Sequence, residues 1–213
     1  MLNILKEAVS AHNEPPQIEI PLFALGSILF PEGRMNLRVF EQRYMDMAKS
    51  CMKNAAPFGV VLITAGEEVN SKSGITTTIE QVGTLATISD WDMQQLGVLQ
   101  LTVAGSNRFK VISHRTLESG LLVGSVNLMA DDSNQEHAAL AACANLLQKI
   151  LSQLGKVSGQ PKFHDAMWVS FRLTEILPLN MTVKQKMLEL TDAGMRLDIL
   201  HKFLVDQGLI AAH

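Results

Sequence analysis

The stretch Leu29-Phe30-Pro31-Glu32-Gly33-Arg34-Met35-Asn36-Leu37-Arg38-Val39-Phe40-Glu41-Gln42-Arg43-Tyr44 constrains the fold more tightly than any other part of the chain. Pro31 lacks an N–H and ends an apolar strand, and Gly33 offers a position where the backbone can take a positive φ. A second extended run, Leu37 to Phe40, then leads into helix-forming sequence. The order is therefore strand, tight bend, short strand, helix. From Ile18 to Met129 the other apolar runs are short, rich in β-branched residues and separated by glycines at 26, 33, 59, 66, 74, 83, 97, 105, 120 and 124, which predicts a small barrel or sandwich. The exception is Glu41 to Lys53, where Tyr44, Met47, Ala48 and Cys51 line one helical face behind Phe40, so one helix packs on or plugs the barrel.

The pattern changes at Asp131-Asp132-Ser133-Asn134, which has no apolar residue and is rich in capping side chains. Beyond it four helices are expected. The first carries Leu140, Cys143, Leu147, Ile150, Leu151 and Leu154 and stops at Gly155. The second runs from His164 to Leu177 with Val169, Leu173, Ile176 and Leu177 as its stripe. The third opens on a Thr182/Gln185 capping box, and the fourth is capped by Asp192 and presents Met195, Ile199 and Phe203 on one face. Short loops make these a compact bundle. The expected organisation is an appendage over 1–17, a β domain over 18–130 and a helical bundle over 131–213.

Composition narrows the partners. Residues 1–130 hold 10 Lys+Arg and 12 Asp+Glu, and residues 131–213 hold 8 and 9, so neither part is basic. With one tyrosine and no cluster of cations among aromatics, nucleic acid is disfavoured. Cys51 and Cys143 are far apart and lie in apolar helical patterns, reading as buried reduced thiols of a cytoplasmic protein. There is no C-x-x-C or H-E-x-x-H spacing, no call for a cofactor, and no apolar run of bilayer length. Gly66-Glu67-Glu68-Val69-Asn70-Ser71-Lys72-Ser73 has nearly the spacing of a phosphate-binding loop. Ser71 replaces its second glycine, and β-branched Ile75 to Ile79 follows instead of a helix, so it reads as a polar hairpin connection.

Five blocks in one order resemble the amino-terminal substrate-binding domain of Lon-type ATP-dependent proteases. They are Ile20-Pro21-Leu22-Phe23, the Phe30-Pro31-Glu32-Gly33 to Phe40-Glu41-Gln42-Arg43-Tyr44 segment, Phe58-Gly59-Val60-Val61-Leu62, Gln81-Val82-Gly83-Thr84-Leu85-Ala86 and Leu101-Thr102-Val103-Ala104-Gly105-Ser106-Asn107-Arg108-Phe109-Lys110-Val111. The likeness is good from Ile18 to Val126. It is weaker beyond, where only Leu177-Pro178-Leu179 and Lys184 to Glu189 look like the family's closing helices. Glu32 is inserted relative to the family pattern, and Ala24 stands where a second proline is usual. The resemblance implies an α+β fold: a PUA-like β-barrel or pseudobarrel with one packed helix, followed by a C-terminal helical bundle. It implies recognition of polypeptide clients, with a protease or chaperone as partner. The P-loop and Ser–Lys pair of a whole Lon protease have no counterpart here, so no catalysis is expected.

Most motif residues read as structural: Pro21, Phe30, Pro31, Gly33, Phe40, Glu41, Arg43, Tyr44, Gly83, Arg108 and Phe109. Glu41 can meet the helix dipole, and Arg43 can tie helix to strand. Apolar residues in an expected connection are harder to explain by folding. Ser89 to Gly97 carries Trp91, Met93 and Leu96, and Met35 lies beside Arg34 in the 31–36 loop, so these four are the candidate client-binding residues. Trp gives large contact area at low entropic cost and Met an adaptable surface. Trp168 reads as core. Two other classes remain in play. An RNA-binding PUA-like module would need a basic groove on the barrel, and a hydrolase would need one of the scattered histidines to meet a serine and a carboxylate in space.

Overall fold

The computed structural model describes residues 17–65, 78–130, 137–155 and 160–211. All but the last residue of the 1–17 appendage, the 66–73 loop, the 131–134 boundary and part of the 156–161 connection lie outside them. The described residues hold seven strands: β1 (Ile18–Leu25), β2 (Arg34–Val39), β3 (Phe58–Ala65), β4 (Thr78–Ile79), β5 (Val82–Gln95), β6 (Val98–Thr116) and β7 (Leu122–Leu128). The sheet order β1-β7-β6-β5-β3 returns on itself because β1 also pairs with β3, in parallel, through Leu22↔Gly59 to Leu25↔Leu62. A ring of five strands therefore closes into a barrel, and closure removes its edges.

The 19-residue β6 is long enough to serve two structures. Its second half pairs with β5 and β7 in the barrel. Its first half, Leu99 to Ala104, pairs with β2 on one side and the second half of β5 on the other. This three-stranded ribbon projects from the ring. Register shifts in β5 between Thr84 and Ala86, and again between Ile88 and Asp90, mark where the hairpin bends out of the barrel.

Strand alternation builds two cores at once. Ile20, Leu22 and Ala24 of β1 join Val61, Leu85, Phe109, Val111 and Val126, while Phe23 and Leu25, on its other face, join Leu37, Val39, Phe58, Leu101 and Val103. The second core is roofed by α1 (Gln42–Asn54), whose Tyr44, Met47, Ala48 and Cys51 are buried. Tyr44 stacks on Phe23 at 4.0 Å. Pro21 sits just before the β1–β3 register begins, where a strand tolerates a residue without an N–H.

Among the described residues four helices follow: α2 (Leu140–Leu154), α3 (Ala166–Ile176), α4 (Met181–Glu189) and α5 (Ala193–Asp206). α3 touches the other three and is buried over most of its length, with Trp168, Val169, Phe171 and Leu173 inside. Asp165, Asn180 and Asp192 cap α3, α4 and α5 by accepting the backbone N–H of Trp168, Val183 and Met195 at 3.0, 2.8 and 2.9 Å. Gly155 ends α2 in the left-handed conformation, φ 64°.

Two helical expectations are corrected. Asn180, not Thr182, caps α4, and Gln185 is buried and donates to the Val82 carbonyl at 3.0 Å instead of closing a capping box. In α5 the buried stripe is Arg196, Leu197, Leu200 and Leu204, one position round from the expected one, so Met195 and Ile199 face outward.

Barrel and helices share a seam. Phe30, Val82, Phe171 and Leu188 form a small apolar cluster, and two buried arginines close it. Arg108 on β6 donates to the carbonyls of Leu188 and Leu190 at 2.9 and 2.7 Å; Arg196 donates to Leu190 at 2.6 Å and to the Ser170 hydroxyl at 3.0 Å. Both guanidiniums lie against the Phe171 ring. The carbonyl-rich C-terminal end of α4, the negative end of its dipole, is what holds these charges. The Pro31–Gly33 bend is pinned from the same side: Arg172 donates to the Pro31 carbonyl at 2.8 Å and pairs with Glu175, and Lys162 pairs with Glu32 at 2.8 Å. Burial pushes the Glu175 carboxyl up and the Arg172 guanidinium down, each against the pull of its partner.

The bend also corrects the reading of Gly33. The positive φ belongs to Glu32, at 57°. Gly33 is needed for space, since a Cβ there would stand 2.8 Å from the Phe30 carbonyl oxygen and 3.1 Å from the Arg172 guanidinium.

Candidate functional site

Ser89 to Gln95 is not a loop. β5 continues to Gln95 and the hairpin turn is only Leu96-Gly97, with Gly97 at φ 81°. Trp91 is therefore a strand residue, directly opposite Leu101 in the ribbon, and opposed residues share a face. Leu101 is 1% exposed beneath α1, whereas Trp91 is 57% exposed. α1 ends at Asn54, Ala55 turns left-handed at φ 48°, and Trp91 lines a groove beside Ala55 and Ala56, just past the last residue of the helix.

Trp91, Met93 and Leu96 follow one another along the outer part of this hairpin and are all exposed, with Leu96 at the turn 96% exposed. Met35 does not join them. It lies on β2 opposite Val103, half-buried on the inward side with Leu37 and Val39, and packs against the core roofed by α1. Phe40, read as a structural motif residue, is exposed one residue beyond the Val39↔Leu99 pair, close in register to the hairpin turn.

Two grooves meet at Trp91. One, of about 580 Å³, runs between the end of α1 and β5 and is lined by Cys51, Met52, Ala55, Ala56, Thr87, Ile88, Ser89, Asp90 and Trp91. Sequence reasoning missed its Met52, Ala55 and Ala56 wall, for which the one signal was Pro57 stopping the helix. The other, of about 360 Å³, lies across the ribbon and is lined largely by Asn36, Arg38, Asp90, Asp92, Gln100 and Thr102. Asp90 and Asp92 make these surfaces unlike the basic groove that a nucleic-acid module needs.

The remaining motif residues act as struts. Arg43 donates to the Gly120 carbonyl at 2.8 Å, pairs with Glu41 at 2.9 Å and lies over the Tyr44 ring, tying α1 to the β6–β7 turn. Gly83 and Phe109 interlock, since a Cβ on Gly83 would meet the Phe109 ring at 2.7 Å.

His137 faces Asp198 at 3.4 Å, but its Nδ1 accepts the Ala139 N–H, and among the described residues no serine hydroxyl is hydrogen-bonded to an imidazole. The thiols of Cys51 and Cys143 are pushed up by burial, Cys143 to about 11 with Asp198 adding to the effect. That is the opposite of what a nucleophile requires. Among the described residues no three His, Cys, Asp or Glu side chains converge as a metal site, and no helix is long and apolar enough to cross a membrane.

The family model for the ATP-dependent protease La (Lon) substrate-binding domain matches residues 19–206. The chain belongs to the Lon substrate-binding domain family. The match takes in the helices as well as the barrel, including the third of the chain where the sequence likeness is weakest. Among solved structures, a Lon N-terminal domain protein from Xanthomonas campestris is 33% identical over 86% of this chain and 96% of that one, with a TM-score of 0.70. The N-terminal domain of a Lon protease from the Mycobacterium avium complex covers 89% of this chain and 99% of that one at 15% identity and a TM-score of 0.63, a likeness of fold alone. No curated protein sequence matched the chain. The α+β barrel-and-bundle architecture and the placement among Lon substrate-binding domains thus rest on the family model and on these structures together.

Proposed function

We propose that this Lon substrate-binding domain is a non-catalytic cytoplasmic module that holds exposed apolar stretches of unfolded client proteins against the Trp91–Met93–Leu96 hairpin, for delivery to a protease or chaperone partner. The observation that carries the reading is Trp91, an aromatic side chain on the face that buries Leu101, left 57% exposed beside the end of α1. Burial of such a surface is non-directional and tolerates many sequences, as a recognition module for unfolded chains must.

Magnitudes support a modest, broad affinity. Just over half of the roughly 150–250 Å² that a tryptophan can bury is available at Trp91, which corresponds to about 2–3.5 kcal/mol at ~25 cal/mol/Å² before ordering costs. Met93 and Leu96 add smaller amounts, so micromolar binding is expected once the cost of association is subtracted. The test is fluorescence anisotropy with a labelled, permanently unfolded polypeptide and with the same chain folded. The reading expects binding of the unfolded form, weakened roughly thirtyfold, about 2 kcal/mol, by Trp91→Ser with Met93→Ser. Equal affinity for the folded form, or an unchanged affinity of the double variant, would refute it.

A further inference from the structure

We infer that the client segment is bound as an added β-strand along the second half of β5, extended, apolar at alternate positions and carrying a lysine or arginine. This rests on the recognition reading above and specifies its geometry. The argument starts from strand pairing. Val82 to Ala86 of β5 has β6 on one side and, from Thr84 to Ala86, β3 on the other, through Phe58↔Ala86, Gly59↔Leu85 and Val60↔Thr84. From Thr87 onward β5 pairs with β6 alone among the described residues, because the antiparallel β3 begins at Phe58, opposite Ala86, and the chain before it is the connection from α1.

A strand edge left in this way presents backbone N–H and C=O groups to whatever lies beside it, and the groups that satisfy such a row in register are those of another extended chain. What lies beside it is the 580 Å³ groove, floored by Ile88 and Trp91 and walled by Met52 of α1 and by Ala55 and Ala56 just beyond the helix. That volume is within the roughly 300–1,000 Å³ of clefts that hold ligands. Thr87 to Trp91 gives about 16 Å of strand, enough for five residues of a partner.

Two details fix the chemistry of the occupant. The backbone N–H of Trp91 is held by the Asp90 carboxylate at 2.9 Å, a local guard that an incoming carbonyl can replace. Among the described residues Asp90 is also the only charged side chain lining the groove, with Lys53 of the last turn of α1 outside that lining, and the groove abuts the C-terminal end of α1, which is negative in its dipole. Both favour a cation in the client, and neither favours a carboxylate.

The experiment uses a labelled peptide of about ten residues that alternates valine and threonine around a central lysine, together with two versions N-methylated at its odd or its even residues. An added strand offers only every second N–H to the edge. One methylated register should therefore lose roughly tenfold or more in affinity while the other binds like the parent, and lysine-to-glutamate exchange in the peptide should weaken binding. Equal binding of both methylated registers would overturn strand addition and leave apolar recognition standing. Failure of the parent peptide and of the unfolded polypeptide alike would remove the recognition reading, and strand addition with it. Sedimentation of the protein alone provides the remaining check, since a dimer at the concentrations used would give the edge to a second copy and overturn the proposal.

Discussion

Gly105→Ala probes the contact that joins the ribbon to the Pro31–Gly33 bend. Gly105 donates to the Gly33 carbonyl at 2.9 Å and accepts the Glu32 N–H at 3.0 Å. A Cβ at Gly105 would lie 2.4 Å from the Phe30 carbonyl oxygen and 3.1 Å from Leu29. Contacts below 3.0 Å are essentially never tolerated, so the bend must retreat by at least 3.0 − 2.4 = 0.6 Å. That shift stretches both backbone bonds and drags Phe30 from its place 5.7 Å from the Phe171 ring in the seam. Weakening two hydrogen bonds costs about 1–3 kcal/mol and disturbing the packed seam about 1–2, against a gain of about 0.4–1 from the stiffer unfolded chain. The net loss is about 2–3 kcal/mol, a fall in Tm of roughly 4–12 °C for a domain of this size. Thermal melts by circular dichroism measure it. Gly97→Ala is the contrast: φ is 81° there but nothing lies within 4 Å, so only backbone strain of about 1 kcal/mol is at stake. If Gly105→Ala melts within 2 °C of the parent, the steric reasoning fails.

Three further perturbations test other parts of the account. Asp192→Ala removes the acceptor of the Met195 N–H and should cost about 1 kcal/mol in urea unfolding; no change would mean that the cap contributes nothing. Arg108→Met keeps bulk at the seam but takes the donor from the Leu188 carbonyl, and a loss of about 2 kcal/mol is expected, with a gain in stability contradicting the helix-end account of the buried charge. Cys143, held neutral by burial up to about pH 11, contributes stability that is present below its unfolded pKa of about 8.5 and lost as pH rises through 11. The stability difference between the parent and Cys143→Ala should therefore shrink between pH 8 and 11, and a pH-independent difference would refute the assignment.

What could be read in advance was what local rules decide. Pro31 and the Tyr44–Met47–Ala48–Cys51 stripe mark the bend and α1, because a proline and a helical period act over a few residues, but β2 starts at Arg34, inside the expected 31–36 loop, and ends at Val39. Asp192 and Gly155 mark helix ends for the same reason. Long-range packing decided the rest. Trp91 and Met93 look like loop residues because Asp90 and Asp92 alternate with them, and only pairing with β6 shows that this alternation is a strand with one face open. Met35 has the same composition of neighbours and ends up inward, because β2 pairs Met35 with Val103. In α5 the rotation of the buried face follows Arg196, a residue whose burial no hydropathy pattern foretells, drawn inward by the carbonyl of Leu190 and the ring of Phe171.

Trp91 reports on its own burial, which makes one measurement decisive. The protein has two tryptophans, and Trp168 is already buried at 5% exposure, so acrylamide quenching of the intact protein reads mainly Trp91. Adding a tryptophan-free unfolded polypeptide to saturation should reduce the quenching constant to near that of a buried indole. An unchanged quenching constant while the polypeptide is bound would place the client elsewhere and contradict the hairpin as the recognition surface.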